Sequence, residues 1–304
     1  MNRGVMSPRW YLAALILLIL LLPASAELSG QDKSQLAEPP PCTHTSKSYP
    51  EAVCLADLAH VYMDQHEYEK AEPILQRELQ LRERTAGPDN PDVVRTLDRL
   101  ALLYQKESRF PEAEVLLRRA LAIREKAFGM KNVDVAESAE ALADLFRAQK
   151  RDTEAEDLLK KALSIEEKAL RPTDPAYPTI SWTLTDLGRL YEEEKRYSEA
   201  EPQLTRALTI YQNIPSPNYF NIGDSQFEVA TVFALEGKDS EAESYFKQTL
   251  ATMSKTLGPD HPRLASVLEV YSALLQRMNR MAEAGSVKSR ADEIRAKAKQ
   301  KNPT

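Results

Sequence analysis

Glycine is scarce in this chain, 9 residues in 304, and histidine (4), cysteine (2) and tryptophan (2) are scarcer still. Few glycines, beside 42% hydrophobic and 28% charged residues, favour long helices over a β-rich domain. The two cysteines, Cys42 and Cys54, allow one disulfide at most. In an oxidising compartment they are a candidate pair tying a linker to the first helix; the other reading is a buried Cys54 and an unpaired Cys42. The histidines lack ligand spacing, because His60 and His66 stand six apart and not at the i, i+4 interval that puts two ligands on one helical face. No His-Glu-x-x-His, nucleophile elbow or glycine-rich phosphate loop occurs. A non-enzymatic chain with no metal and no cofactor is therefore expected. Excess positive charge is missing too: the formal net charge is -6. That argues against a nucleic-acid partner, whose affinity would come mainly from phosphate contacts.

An uninterrupted apolar run occurs once, over Tyr11 to Leu22, behind Arg3 and Arg9 and ahead of "PASAE". This is the pattern of a secretory signal peptide over residues 1–26, cut after Ala26. The run is shorter than the roughly 17 to 25 residues that span a bilayer, and an uncleaved N-terminal anchor is the alternative. Loss of residues 1–26 removes two arginines and takes the net charge from -6 to -8. The expected location is secreted or periplasmic, with no membrane contact after cleavage. Residues 27–50 contain "EPPPCTHTSKSYP", including His44, and read as a proline-rich linker.

From Glu51 onward the chain repeats. Ala-Glu stands at Ala71-Glu72, Ala113-Glu114, Ala155-Glu156, Ala200-Glu201 and Ala242-Glu243, with Ala284-Gly285 as a weaker sixth copy; the spacings are 42, 42, 45, 42 and 42. Nine residues before each alanine stand Tyr62, Tyr104, Phe146, Tyr191, Phe233 and Leu275. Eight after stand Leu79, Leu121, Leu163, Leu208 and Leu250, with Asp292 breaking the series. A fixed period of this length marks a repeat array. Each copy carries two amphipathic helices, such as "LDRLALLY" and "PEAEVLLRRALAIREKAF", and neither can bury its apolar face alone. The alanine marks a close helix–helix approach. The predicted fold is all-α, an α-α superhelix of six helix pairs, over about 51–92, 93–134, 135–179, 180–221, 222–263 and 264–299, with a tail at 300–304.

Small–aromatic pairs such as Ala59 with Tyr62 and Ala101 with Tyr104, followed by Tyr68 or Phe110 and then the alanine, resemble the tetratricopeptide repeat. The 42-residue period with "AEPILQREL", "GPDNP" and "GPDHP" resembles its longer kinesin light chain type. The resemblance implies a concave groove lined by the first helices that takes a protein or peptide. It places His60, Asp64, Arg95, Asp98, Glu137, Asp144, Arg147, Trp182, Arg189, Glu193 and Phe227 on that groove, together with smaller positions such as Ala56, Thr231 and Ala234. Across all the implied groove positions nine are acidic and five basic, so a neutral to basic partner is expected. Trp182 and Phe227 are candidate anchors, since large aromatics dominate interfaces; for Trp182 the alternative is packing against the inserted loop from Arg171 to Thr179. The paired asparagines of kinesin light chain repeats are missing, their places taken by pairs such as Asp98-Arg99 and Phe227-Glu228. The function expected is an exported protein-binding scaffold, with a self-associating structural or envelope-assembly protein as the alternative.

"LGPDHPRLA", Leu257 to Ala265, sets an acid beside a histidine at Asp260 and His261, yet "GPDNP" at Gly87 holds the same repeat position with Asn90 in place of the histidine. These segments read as joints between helix pairs. Glycine is expected to supply a left-handed cap, and Asp89 and Asp260 to accept backbone N–H groups of the next helix.

Overall fold

A computed structural model describes residues 51–174, 176–215 and 217–301. The signal segment and linker expected over 1–50, with Cys42 and His44, lie outside the described residues. Among those described, regular structure is entirely helical and falls into two compact units, divided between Tyr177 and Pro178. The first holds α1 (Glu51–Asp64), α2 (Tyr68–Ala86), α3 (Val94–Lys106, behind a 3-10 turn Pro91–Val93), α4 (Phe110–Phe128), α5 (Val133–Ala148) and α6 (Asp152–Ala169). The second holds α7 (Thr179–Glu193), α8 (Tyr197–Asn213), α9 (Tyr219–Glu236), α10 (Asp239–Leu257), α11 (Pro262–Arg277) and α12 (Met281–Lys301). Each unit is thus three helix pairs, and the six expected pairs are all present. The three extra residues of the 45-residue step fall in the connector between α6 and α7. No described helix is long and apolar enough to cross a membrane.

Packing follows the repeat. Ala71, Ala113, Ala155, Ala200 and Ala242 are fully buried, as are Leu75 and Phe246 four residues after the first and last of them. Three positions before the aromatic stands a small residue in every pair, and at one of them the approach is close: a Cβ on Gly188 would lie 2.5 Å from Leu204 Cγ. Between pairs the core is continuous: Val93, Val94 and Leu97 of the second pair pack with Ala120 and Ile123, and Leu79 of the first pair closes the cluster. In the second unit the buried Phe246 ring stacks on Tyr271 of the next pair, with centroids 5.6 Å apart.

The turn inside each pair is one motif used six times. The residue four after the aromatic has positive φ: His66, Ser108, Lys150, Lys195, Gly237 and Asn279. The next N–H then donates to the aromatic position's carbonyl, as in Arg109 to Tyr104 (2.7 Å) and Arg280 to Leu275 (2.9 Å). This is the six-to-one bond of a Schellman ending.

The residue making that bond also explains the glutamate of Ala-Glu. Arg109 Nη1 donates to Glu72 of the preceding pair (2.9 Å), Arg151 to Glu114 (2.5 Å), Arg280 to Glu243 (2.6 Å), and Lys238 pairs with Glu201. The same guanidiniums lie over the aromatic rings, Arg109 at 4.0 Å from the Tyr104 centroid and Arg151 at 3.9 Å from Phe146. Arg280 holds the Glu243 carboxyl down at about 2, helped by Lys247 and Tyr271. Glu67 and Gly285 stand where the series would call for a base and an acid.

At the joints two expectations are corrected. Gly87, Gly129 and Gly258 do have positive φ (100°, 78° and 95°), but with ψ of 152°, 156° and 156°. That is not the left-handed helical region; it is the extended mirror region that only glycine enters readily. The capping side chains are also one residue further on. Asn90 Oδ1 accepts from Asp92 N (2.9 Å), Asn132 from Asp134 N (2.7 Å), and His261 Nδ1 from Arg263 N (3.2 Å). Asp89 and Asp260 instead accept from Lys126 (2.6 Å) and Lys297 (2.8 Å) on the second helix of the following pair. Burial and Arg263 lower the pKa of His261, which keeps Nδ1 free to accept. The aspartate–histidine doublet is therefore a strut and a cap.

Candidate functional site

The first helices α1, α3 and α5 carry the implied groove residues of the first unit. His60 and Asp64 are exposed, 3.6 Å apart across one turn, and Arg95 and Leu102 are exposed as well. Asp144 and Arg147 pair at 3.7 Å. The most structured place centres on Arg124, a second-helix residue with no claim on the groove in the sequence. Its guanidinium reaches Asp98 (3.8 Å) and Glu137 (3.1 Å) and donates to Ser138 Oγ (2.8 Å), so it joins α3 to α5 from below.

Burial pushes the Asp98 carboxyl up to about 6, against the pull of Arg124 and with a push from Glu137. The raised pKa means the folded state holds a proton that the unfolded chain releases between about pH 4 and 6. The associated stability is complete at low pH and is lost as pH rises through that window. Asp98→Asn should therefore stabilise the chain by roughly 1–2 kcal/mol at pH 7. Thermal melts of both proteins should converge near pH 3.5; a gain that persists there would show that packing, not charge, is responsible.

In the second unit the corresponding face is richer. Trp182 on α7 is 56% exposed and lies beside the buried Tyr211 of α8. Arg189 donates to Glu228 Oε1 through Nη2 (2.6 Å) and Nε (3.1 Å), joining α7 to α9. Asp224 pairs with Arg263 at 2.6 Å, joining α9 to α11. Phe227 is half-buried with its ring edge-on to Phe246, centroids 6.1 Å apart, so this candidate anchor also packs the core. Glu193 is half-buried beside Glu192, which is 6% exposed. Several positions given to the groove by resemblance are closed to a ligand's approach, since Ala56, Thr231 and Ala234 are buried. Conversely Arg263 lies at the face, with the buried Glu228 and Tyr211 beneath it, and none of the three was signalled by any repeated pattern. Cys54 lies half-buried on α1, and its expected partner Cys42 lies outside the described residues.

Helix pairs stacked in sequence, with first-helix faces lined by exposed aromatics and paired charges, define a repeat protein of the α-solenoid class. The sequence matches the tetratricopeptide repeat model over residues 51–126, 96–168, 134–213 and 221–291, and the chain belongs to the tetratricopeptide repeat family. Among solved structures it is similar to the kinesin light chain TPR-like repeats of Podosopora anserina, at 25% identity and a TM-score of 0.61, covering 69% of this chain and 98% of that one. It is also similar to BtubC (BKLC) of P. vanneervenii, at 21% identity and a TM-score of 0.60, over 67% of this chain and 80% of that one. A third likeness, to pilF of Pseudomonas aeruginosa, has 19% identity and a TM-score of 0.53, over 83% of this chain and 92% of that one. No curated protein matches. The longer, kinesin light chain-like form of the repeat is thus the one present, and proteins built on such repeats are generally scaffolds for protein–protein contact.

Proposed function

We propose that this chain is an exported, non-enzymatic scaffold that holds a neutral to basic protein or peptide on its first-helix faces. The observation that carries this reading is Trp182, a large aromatic left 56% exposed on the face that lines the groove in this fold. Leaving such a ring in water is unfavourable, and rings in this setting anchor interfaces. The charge preference is supported by the acidic excess among the groove positions, and export by the arginine–apolar–small pattern over residues 1–26. Within that setting Cys42 and Cys54 would pair.

The test is in-cell crosslinking followed by identification of what the chain holds, repeated with Trp182→Ala and Phe227→Ala. Trp182→Ala should weaken capture about tenfold with no loss of thermal stability. Phe227→Ala should weaken it while also lowering stability, because that ring packs on Phe246. Unchanged capture by the Trp182 variant would remove the anchor and with it the face.

A further inference from the structure

The first-helix face of the second unit holds carboxylates that the protein itself does not satisfy. Both oxygens of Glu192, Oε2 of Glu228 and Oδ1 of Asp224 are shielded from solvent and have no hydrogen-bond partner. Glu192 and Glu228 are 6% and 5% exposed. A buried carboxylate without a partner, such as Glu192, is costly, and Glu228 and Asp224 each leave one oxygen unanswered beside the one their arginine holds. They belong to one place. Glu192 feels Glu228, Arg189 and Glu193, while Asp224 feels Arg263, Glu228 and Arg189.

The aromatic wall belongs to the same place. Tyr211, beside Trp182, lies in the field of Asp186, Arg189 and Asp224. The neighbourhood therefore combines five acids with two resident cations, Arg189 and Arg263, beneath an exposed indole. Arg189 occupies only one oxygen of Glu228 and leaves Glu192 unanswered.

We infer that this face is a site for one lysine or arginine side chain of the partner, seated against Trp182 and met by the unsatisfied oxygens of Glu192, Asp224 and Glu228 as their side chains turn outward; the inference takes the partner-binding role proposed above as given. A flat cation fits the set better than a metal ion. Among the described residues no group of three His, Cys, Asp or Glu is placed to hold a metal. Arginine or lysine brings donors that reach separated carboxylates, and its charged head gains from the indole face. Burial pushes Asp224 up to about 6, against the pull of Arg263, and burial together with the charge of Glu228 drives Glu192 well above the ordinary carboxylate range.

The readout is built in, since Trp182 is the only tryptophan besides Trp10. With Trp10→Phe in the full chain, indole fluorescence reports this site alone. The probes are four heptapeptides identical except at the centre, which carries arginine, lysine, citrulline or glutamate. The arginine and lysine peptides should shift the emission with affinities at least about tenfold above citrulline, the neutral shape-match of arginine. Glu192→Gln and Asp224→Asn, both isosteric, should each cut arginine-peptide affinity by about fivefold or more. Equal binding of arginine and citrulline peptides would overturn the inference while leaving the groove reading standing. So would displacement of the arginine peptide by calcium chloride at matched ionic strength, which would reassign the carboxylates to a divalent cation. If no peptide moves the emission and Trp182→Ala also leaves in-cell capture unchanged, both readings fall together.

Discussion

Phe246→Ala is expected to destabilise the second unit by about 3–5 kcal/mol, the cost of emptying a fully buried aromatic site. The ring is 0% exposed, stacks on Tyr271 of the next pair and takes the edge of Phe227 from its own pair. Its removal therefore opens the contact within one pair and the contact between two. The equivalent residues in the four preceding pairs are Leu75, Leu117, Leu159 and Leu204, so Phe246→Leu is the matched control and should cost less than about 1.5 kcal/mol. In a repeat array each pair is supported mainly by its neighbours. Hydrogen exchange should accordingly quicken over α9, α10 and α11, while α1 to α4 keep wild-type protection. Uniform quickening along the whole chain would instead mean that the array unfolds as a single cooperative body.

The helix pairs were legible in the sequence because their determinants are local and repeated. An alanine, a leucine eight residues on and an aromatic nine before recur along the chain, and each repetition reinforces the others. The joints were legible in position but not in detail. Gly-Pro-Asp-x-Pro announces a stop and a restart, yet the cap is Asn90 or His261, since Asp89 and Asp260 are drawn away by lysines 37 residues later. The inter-pair clamp from Arg109 to Glu72 could have been found. A base stands five residues after the aromatic at Arg109, Arg151, Arg196, Lys238 and Arg280, in register with the Ala-Glu pairs.

The candidate site was much less legible, for a physical reason. Its chemistry sits where the repeats differ. Glu228 occupies a position held by Asp57, Arg99, Ala141, Asp186 and Val270 in the other copies, so no pattern singles it out. Burial of Glu192 is set by neighbours that a single helix does not reveal. Position counting alone put Ala56 and Thr231 on the groove as readily as Trp182, although the former two are buried and the indole is not.

The same divergence between copies gives the second large expected effect. Glu78 is 0% exposed and accepts from Arg82 Nε (2.7 Å) and Thr96 Oγ1 (3.0 Å), with Arg99 at 3.7 Å. Its equivalents in the other pairs are Ala120, Ala162, Ala207, Thr249 and Ala291, so alanine fits the space. Glu78→Ala should nevertheless cost about 2–4 kcal/mol, because Arg82 and Thr96 lose their acceptor in a shielded setting. One period later the answer to the same problem is visible. Arg124, the equivalent of Arg82, lies above Ala120 and takes its acid from the first helix at Asp98, where the earlier copy has Ala56. Moving a neutral acceptor to the same place, with Ala56→Asn added to Glu78→Ala, should restore more than about 1 kcal/mol of the loss in urea unfolding, asparagine being chosen because the Asp98 carboxylate itself carries a burial penalty. If Ala56→Asn deepens the loss, the two copies do not share this geometry, and Glu78 is held by α2 and α3 in a way particular to the first pair.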